Sequence, residues 1–316
     1  MVKNKFKYAS VIVTFNRSEL LIQAIDSLLE QTVPPSKIIV INNASTDNTI
    51  EVLTKKYSLL HSIVQIVTLA ENKGGSYGFY KGLSIAQQLD VDWISVSDDD
   101  AIYEKEFFKN IRVAVLEQPD VEIFTGTVML ENKKIQLNHR RRVVNSKTLK
   151  QVEVSEIEYK NNFWIDTFTF VGVVFNVRLI RKIGLPQKDY FIWFDDTEYA
   201  LRAKEYSRAL NVSNAVVIHK TQPAALNGGF APNWREYYGI RNEIITNLKH
   251  TTSRPIQYIY IYYQFIKKIL GILMHRDVAG YRVFQLKLRV AGTLDGLRDI
   301  TGKNTRYYPG MNYRKR

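Results

Sequence analysis

Short apolar runs alternate with amphipathic stretches through the first hundred residues. Ser10 to Phe15 is a β-branched run, followed by the polar turn Asn16-Arg17-Ser18 and then by Leu21, Ile25 and Leu28 at helical spacing. Ile38 to Ile41 predicts a second buried strand, ending in Asn42-Asn43-Ala44-Ser45-Thr46-Asp47. A helix from Asn48 to Tyr57 leads to a third strand around Ile63 to Leu69. Glu71 to Gly78 is a glycine-containing loop that opens a helix toward Leu89. Trp93 to Val96 is a fourth strand, and it runs straight into Asp98-Asp99-Asp100. Strand–helix alternation of this kind predicts an α/β fold with a parallel sheet.

The second half predicts mixed β and α structure. Strands are expected at Glu122 to Met129, Phe168 to Phe175 and Ala215 to Ile218, with a helix from Asp196 to Tyr206 before the last. Beyond Trp234 the pattern changes to long helical stretches rich in aromatic and basic residues. The expected division is a domain over residues 1–235 and a helical, basic extension over 236–316. Of the net charge of +13, the stretch from Lys249 onward supplies +11, with 14 Lys or Arg against Asp277, Asp295 and Asp299. Tyrosines mixed with cations, as in residues 256–268, suit a lipid headgroup interface, and predict attachment to an anionic membrane surface. No nucleic-acid-binding motif accompanies the basic residues, so nucleic acid is not an expected partner. There are no cysteines, which excludes disulfides and thiolate metal sites. The N-terminal stretch lacks the apolar core of a signal peptide, and Lys267 and Lys268 interrupt the most apolar long segment. A cytoplasmic protein, peripheral on the inner face of the membrane, is expected.

Ligands in open parallel sheets bind beyond the carboxyl ends of the strands, where four polar loops converge here. No Gly-x-Gly-x-x-Gly turn follows the first strand, which argues against a nicotinamide-dependent dehydrogenase. Adjacent carboxylates at a strand end can reach one hard cation, Mg²⁺ or Mn²⁺, that bridges to a diphosphate. The Gly74-Gly75 turn before a helix leaves backbone N–H groups for an anion. Asp195 and Asp196 open a helix, where one of them could cap it or act as a general base, and Trp193 offers a platform for a sugar face.

Val11-Ile12-Val13-Thr14-Phe15-Asn16-Arg17, Asn42-Asn43-Ala44-Ser45-Thr46-Asp47 and the Asp-x-Asp of Asp98 and Asp100, in this order and spacing, resemble the GT-A enzymes of glycosyltransferase family 2. Asn72-Lys73-Gly74-Gly75-Ser76-Tyr77-Gly78 and Phe194-Asp195-Asp196-Thr197-Glu198-Tyr199 are similar to motifs of its galactofuranosyl- and rhamnosyltransferase-like members. The resemblance implies a GT-A fold, a mixed Rossmann-like sheet flanked by helices. It implies donor contacts from Thr14, Asn16, Arg17, Asn43, Asp47, Asn72, Gly74, Gly75, Asp99 and Arg241, and a divalent metal held by Asp98, Asp100 and His219. Asp196 would be the catalytic base and Asp195 would orient the acceptor, with Trp193, Glu198 and Tyr238 around the substrate. The implied reaction is an inverting transfer from a nucleoside-diphosphate sugar to a lipid-linked or surface-polysaccharide glycan. UDP-galactofuranose is the first choice of donor and dTDP-rhamnose the second. Two other classes stay open at this point: a nucleotidyltransferase, and a non-catalytic basic protein that binds membrane or nucleic acid. The Gln-x-x-Arg-Trp element of processive polysaccharide synthases is absent.

Overall fold

A computed structural model describes residues 6–221, 232–276 and 278–311. Asp277 and the terminal Arg314, Lys315 and Arg316, counted above in the basic tail, lie outside the described residues. The elements in chain order begin with β1 (Tyr8–Thr14), α1 (Ser18–Leu29), β2 (Lys37–Asn42), α2 (Thr49–Lys56), β3 (Val64–Thr68), α3 (Gly75–Ala86) and β4 (Trp93–Asp98). They continue with β5 (Ala101–Tyr103), α4 (Phe107–Glu117), β6 (Ile123–Met129), β7 (Arg140–Asn145), β8 (Lys150–Glu153), β9 (Phe163–Ile165), β10 (Thr167–Phe168), β11 (Val173–Asn176), α5 (Val177–Ile183), α6 (Asp195–Lys204) and β12 (Ala209–His219). The last three helices are α7 (Arg235–His250), α8 (Arg254–Met274) and α9 (Arg282–Leu297).

The chain separates into two units. The first takes residues up to Arg142, Val152–Lys188 and Asp196–Thr221; the second takes Val143–Gln151, Asp189–Asp195 and Gln222–Arg316. The expected boundary at residue 235 is therefore replaced by an interleaved one. The reason is that two earlier segments are anchored on the C-terminal helices, Asp189–Asp195 through Arg241 and Asn242, and Val143–Gln151 through Thr251 and Thr252.

The first unit is built on a mixed sheet in the order β3-β2-β1-β4-β11-β6-β12-β5, with β9 pairing β12. Strands β1 to β4 run parallel, which places the loops after β1, β2 and β4 at one edge. Strand alternation buries Ile12, Leu21, Ile25 and Phe108 on one face and Val11, Val13, Phe79, Leu83 and Ile94 on the other. Two glycines set the spacing of α3 on β1: a Cβ at Gly78 would fall 2.4 Å from Val13 Cγ1, and one at Gly82 would fall 2.2 Å from Val11 Cγ1. Gly78, the last glycine of the loop motif, thus serves helix–strand packing rather than ligand approach.

Arg140 is fully buried, and its guanidinium donates to the carbonyls of Gly126, His139 and Val171 and to Asn211 Oδ1. It ties the loop before β7 to the one before β11. Burial pushes its pKa down to about 10, so it stays charged at neutral pH. Arg140→Leu would leave several buried acceptors without donors; a loss of about 3–5 kcal/mol is expected, read from urea denaturation.

The second unit consists of α7, α8 and α9 with the two anchored segments. Phe191, Trp234, Tyr237, Tyr238, Ile261, Leu288 and Tyr307 form its core. Among the described residues, no helix is long and apolar enough to cross a membrane.

Candidate active site

The turn after β4 is where the first unit gathers its charge. Asp99 and Asp100 are buried there at 3% and 6% exposure, close to charge-bearing partners from two other elements. Thr14, at the end of β1, donates to Asp99 Oδ2 at 2.7 Å. Arg17 Nη1 lies 3.2 Å from Asp99 Oδ1 and 2.8 Å from Asp100 Oδ2. Burial pushes Asp99 up to about 6, against the pull of Thr14 and Arg17. Strand β12 pairs antiparallel with β5 so that His219 lies opposite Ala101, and this register delivers the imidazole to the acidic turn.

His219 Nε2 stands 3.2 Å from Asp100 Oδ1. Its Nδ1 meets Gln136 Oε1 at 2.8 Å, and since an amide oxygen only accepts, Nδ1 carries the hydrogen. Nε2 then points a lone pair at Oδ1, an oxygen that is buried and receives no hydrogen bond. Two lone pairs at this distance need a positive charge between them, a proton or a divalent cation. Burial works against ionisation of Asp100, but His219 and Arg17 prevail and hold the carboxyl below its usual range. An oxygen and an imidazole nitrogen aimed at one point fit Mn²⁺ or Mg²⁺. The structure brings Asp100 and His219 together, but no three His, Asp or Glu side chains gather as a metal-holding group among the described residues. The expected triad with Asp98 is thus seen as a pair. Strand alternation accounts for this: Asp98 is still in β4, paired with Val13, whereas Asp100 has passed into the turn.

Gln136 and His139 escaped the sequence reading. His139 is buried edge-on to His219, with ring centroids 5.1 Å apart, and its Nδ1 meets Thr169 Oγ1. No local pattern marks either residue; only the fold brings residues 136–139 to β12. If Gln136 orients His219, Gln136→Leu is expected to weaken Mn²⁺ binding by about 10- to 100-fold, while Gln136→Glu retains it. Titration of Mn²⁺ followed by electron paramagnetic resonance checks this without any sugar donor.

The donor-side residues are organised by each other. Asn16, at φ 55°, accepts from Thr46 N at 2.7 Å and donates to Thr46 Oγ1. Asn43 donates to Asn72 Oδ1 and accepts from Lys73 N, both at 3.0 Å, which joins the loops after β2 and β3. Asn72 Oδ1 also accepts from Gly74 N, and Gly74 adopts φ 84°, a conformation suited to glycine. A Cβ at Gly75 would meet nothing within 4 Å, so the start of α3 is open to a ligand. Asp47 accepts from Thr49 N and Oγ1 and so fixes the turn that leads into α2.

Asp196, half-buried in the first turn of α6, accepts from Thr197 N and Oγ1. Burial pushes its pKa up to about 6, although Thr197, Arg141 and the Phe170 backbone act in the opposite direction. Asp195, beside it in sequence, is buried at 6% exposure. The segment 169–172 links the two acidic regions of the first unit: Thr169 holds His139, and the next residue's backbone reaches Asp196.

In the second unit, Phe191, Trp193 and Phe194 take φ values of 69°, 64° and 68°, strained for bulky side chains. The strain is held by α7: Asn242 Nδ2 donates to the carbonyls of Tyr190, Ile192 and Trp193 at 2.8–3.0 Å. Arg241 donates to the carbonyls of Tyr190 and Gly302 and is 1% exposed. Its expected phosphate contact is therefore corrected to a clamp on the segment that leads into α6. Tyr238 is likewise withdrawn from substrate, being fully buried with its hydroxyl shared between Tyr307 O and Asn304 N. Glu198 is fully buried in an ion pair with Arg202 at 2.7 Å, which ties α6 to the carbonyls of Ile183 and Leu185. Trp193 keeps a free face: its ring lies on Gly239, where a Cβ would come within 2.9 Å, and the side chain is 41% exposed.

The glycosyl transferase family 2 profile matches residues 10–184. The dTDP-rhamnosyl transferase RfbF of Shigella flexneri is 21% identical over 304 residues, 93% of this chain and 96% of that protein. The galactofuranosyltransferase GlfT1 of Mycolicibacterium smegmatis is 33% identical over 94 residues, 29% of each chain. The crystal structure of GalNAc-T7 with UDP, GalNAc and Mn²⁺ matches with a TM-score of 0.65 at 12% identity, over 94% of this chain and 57% of that one. The fold is that of the GT-A glycosyltransferases, and the chain belongs to glycosyl transferase family 2.

Proposed function

We propose that this glycosyltransferase moves a hexose from a nucleoside-diphosphate sugar to a hydroxyl of a lipid-linked or surface-polysaccharide glycan, with inversion at the anomeric carbon, beside an anionic membrane. The observation that carries the reading is the meeting of Asp100, His219 and Arg17 at the carboxyl edge of the parallel strands. Arg17 offers a half-exposed guanidinium to the donor diphosphate, while the loops of Asn16, Asn43 and Asn72 shape the nucleoside side. Asp100 and His219, with Asp98 at the end of β4 before the turn, would hold a divalent cation, whose bound charge favours departure of the nucleoside diphosphate. Asp196 accepts the proton of the acceptor hydroxyl as its oxygen bonds to the anomeric carbon and the bond to the diphosphate oxygen breaks.

The relative that spans nearly the whole chain is named a dTDP-rhamnosyl transferase, whereas the galactofuranosyltransferase likeness covers 29%. That observation moves dTDP-rhamnose ahead of UDP-galactofuranose as donor. A panel of sugar nucleotides with Mn²⁺ or Mg²⁺, read by the nucleotide released, tests the reading. Release of dTDP with dTDP-rhamnose supports it; release of pyrophosphate instead would point to nucleotidyl transfer.

A further inference from the structure

Helix α8 has an unusual surface. Of its 21 residues only Gln257 and Ile261 are buried. Ile259, Tyr262, Tyr263, Ile266, Leu270 and Met274 are all exposed, Ile259 at 70% and Met274 at 74%. Their spacing follows the helical repeat, so they form one continuous stripe. On α9, Val290, Leu294 and Leu297 are also exposed; with Tyr258, Tyr262 and Phe265 they line an apolar cleft of about 360 Å³ between the two helices. A neighbouring cleft of about 320 Å³ shares Ile261, Phe265 and Thr293 with it and carries Lys268 and Arg289, together with Glu243. An apolar surface of this extent marks an interaction site.

We infer that the exposed face of α8 and α9 lies in the headgroup layer of an anionic lipid leaflet, with acyl-chain ends entering the cleft between the helices. The charge pattern selects this occupant. Helix α8 contains Arg254, Lys267 and Lys268 and no acidic residue; α9 contains Arg282, Lys287 and Arg289, and its one acid, Asp295, is bonded to the Tyr237 hydroxyl. A second copy of the chain would set Lys267 and Lys287 against like charges, and the carboxylates nearby, Glu236 and Glu243, already interact with this chain's own Arg289 and Lys268. Phosphate headgroups over acyl chains supply both the anions and the hydrocarbon. Tyrosines on the stripe have the apolar body and polar tip that an interface favours, and no described helix is suited to spanning, so α8 lies along the surface. The inference rests on the membrane part of the proposed function and deepens it by naming the contact face; it is independent of the sugar transferred.

The chain has no cysteine, so Leu270→Cys provides a single attachment point for an environment-sensitive NBD fluorophore. The labelled full-length protein is mixed with phosphatidylcholine vesicles with and without phosphatidylglycerol. The expected result is a blue-shifted, brighter emission only with the anionic vesicles. Flotation of an Ile259→Ser, Tyr262→Ser, Met274→Ser variant should show at least about tenfold weaker partitioning, with its thermal unfolding unchanged because these side chains are exposed. Flotation of the parent without any change at the label would overturn the assignment of this face and leave membrane attachment standing. No flotation with either vesicle overturns both. A concentration-dependent dimer in sedimentation velocity that the three serines abolish, without flotation, would replace the leaflet by a second copy.

Discussion

Exchanging Asp196 for asparagine is expected to slow sugar transfer by about 10³-fold while leaving the protein folded. A positioned general base contributes on the order of 10²–10⁴ to rate, and asparagine keeps the shape but cannot take the acceptor proton. The pH dependence gives the second signature. Burial raises the Asp196 pKa to about 6, and the base works only when ionised. Parental kcat/KM should therefore rise with pH and level off above about 6, falling about tenfold per unit on the acid side. The Asn variant should lack this limb. Stability moves the other way. A carboxyl whose folded pKa lies above its unfolded value stabilises the fold below the unfolded pKa, and that contribution is lost as pH rises through 6. At pH 8 the parent carries a disfavoured ionised group, so the Asn variant should melt at the same temperature or higher. Thermal melts at pH 5 and pH 8, beside the rate profile, separate a loss of chemistry from a loss of structure.

Much of the first unit was legible because β1, β2 and β4 are apolar and buried along nearly their whole length, and β1 and β2 are each followed by a helical repeat. The acidic turn was legible as a distinct feature because three adjacent carboxylates, one residue after Ile94-Ser95-Val96, repel one another unless a positive charge joins them. What escaped was set by long-range pairing. Strands β5 and β8 to β10 are short, and β7 is polar; Arg140-Arg141-Arg142 has no strand pattern, yet β7 pairs with β10. The role of Arg241 and Asn242 could not be read locally, because an Arg-Asn pair looks the same on a phosphate as on four backbone carbonyls. Only the positive φ values at 191, 193 and 194 show why a clamp is needed there. Gln136 has no motif at all, and its importance comes from facing His219 across the fold.

Asp100→Asn is expected to lower transfer by about two to three orders of magnitude and to abolish tight Mn²⁺ binding, whereas Asp99→Asn should cost much less. The two aspartates are neighbours with different partners. Asp99 receives the Thr14 hydroxyl and shares Arg17, and an asparagine oxygen can still accept from Thr14. Asp100 instead aims its unbonded Oδ1 at the His219 Nε2, and an amide there removes the negative charge that a cation would need. The same contrast distinguishes cation binding from simple charge pairing. If Asp100 served only to neutralise Arg17, Arg17→Met would restore the thermal stability lost in Asp100→Asn, since the unpaired guanidinium would be gone, and Mn²⁺ binding would be unaffected by either change. If Asp100 serves a cation, the double variant is at least as slow as Asp100→Asn alone, because Arg17 also faces the donor diphosphate, and electron paramagnetic resonance of added Mn²⁺ shows only the free ion. Equal rates for Asp100→Asn and Asp99→Asn, with unchanged Mn²⁺ spectra, would remove the metal from this site and leave Arg17 as the diphosphate's partner.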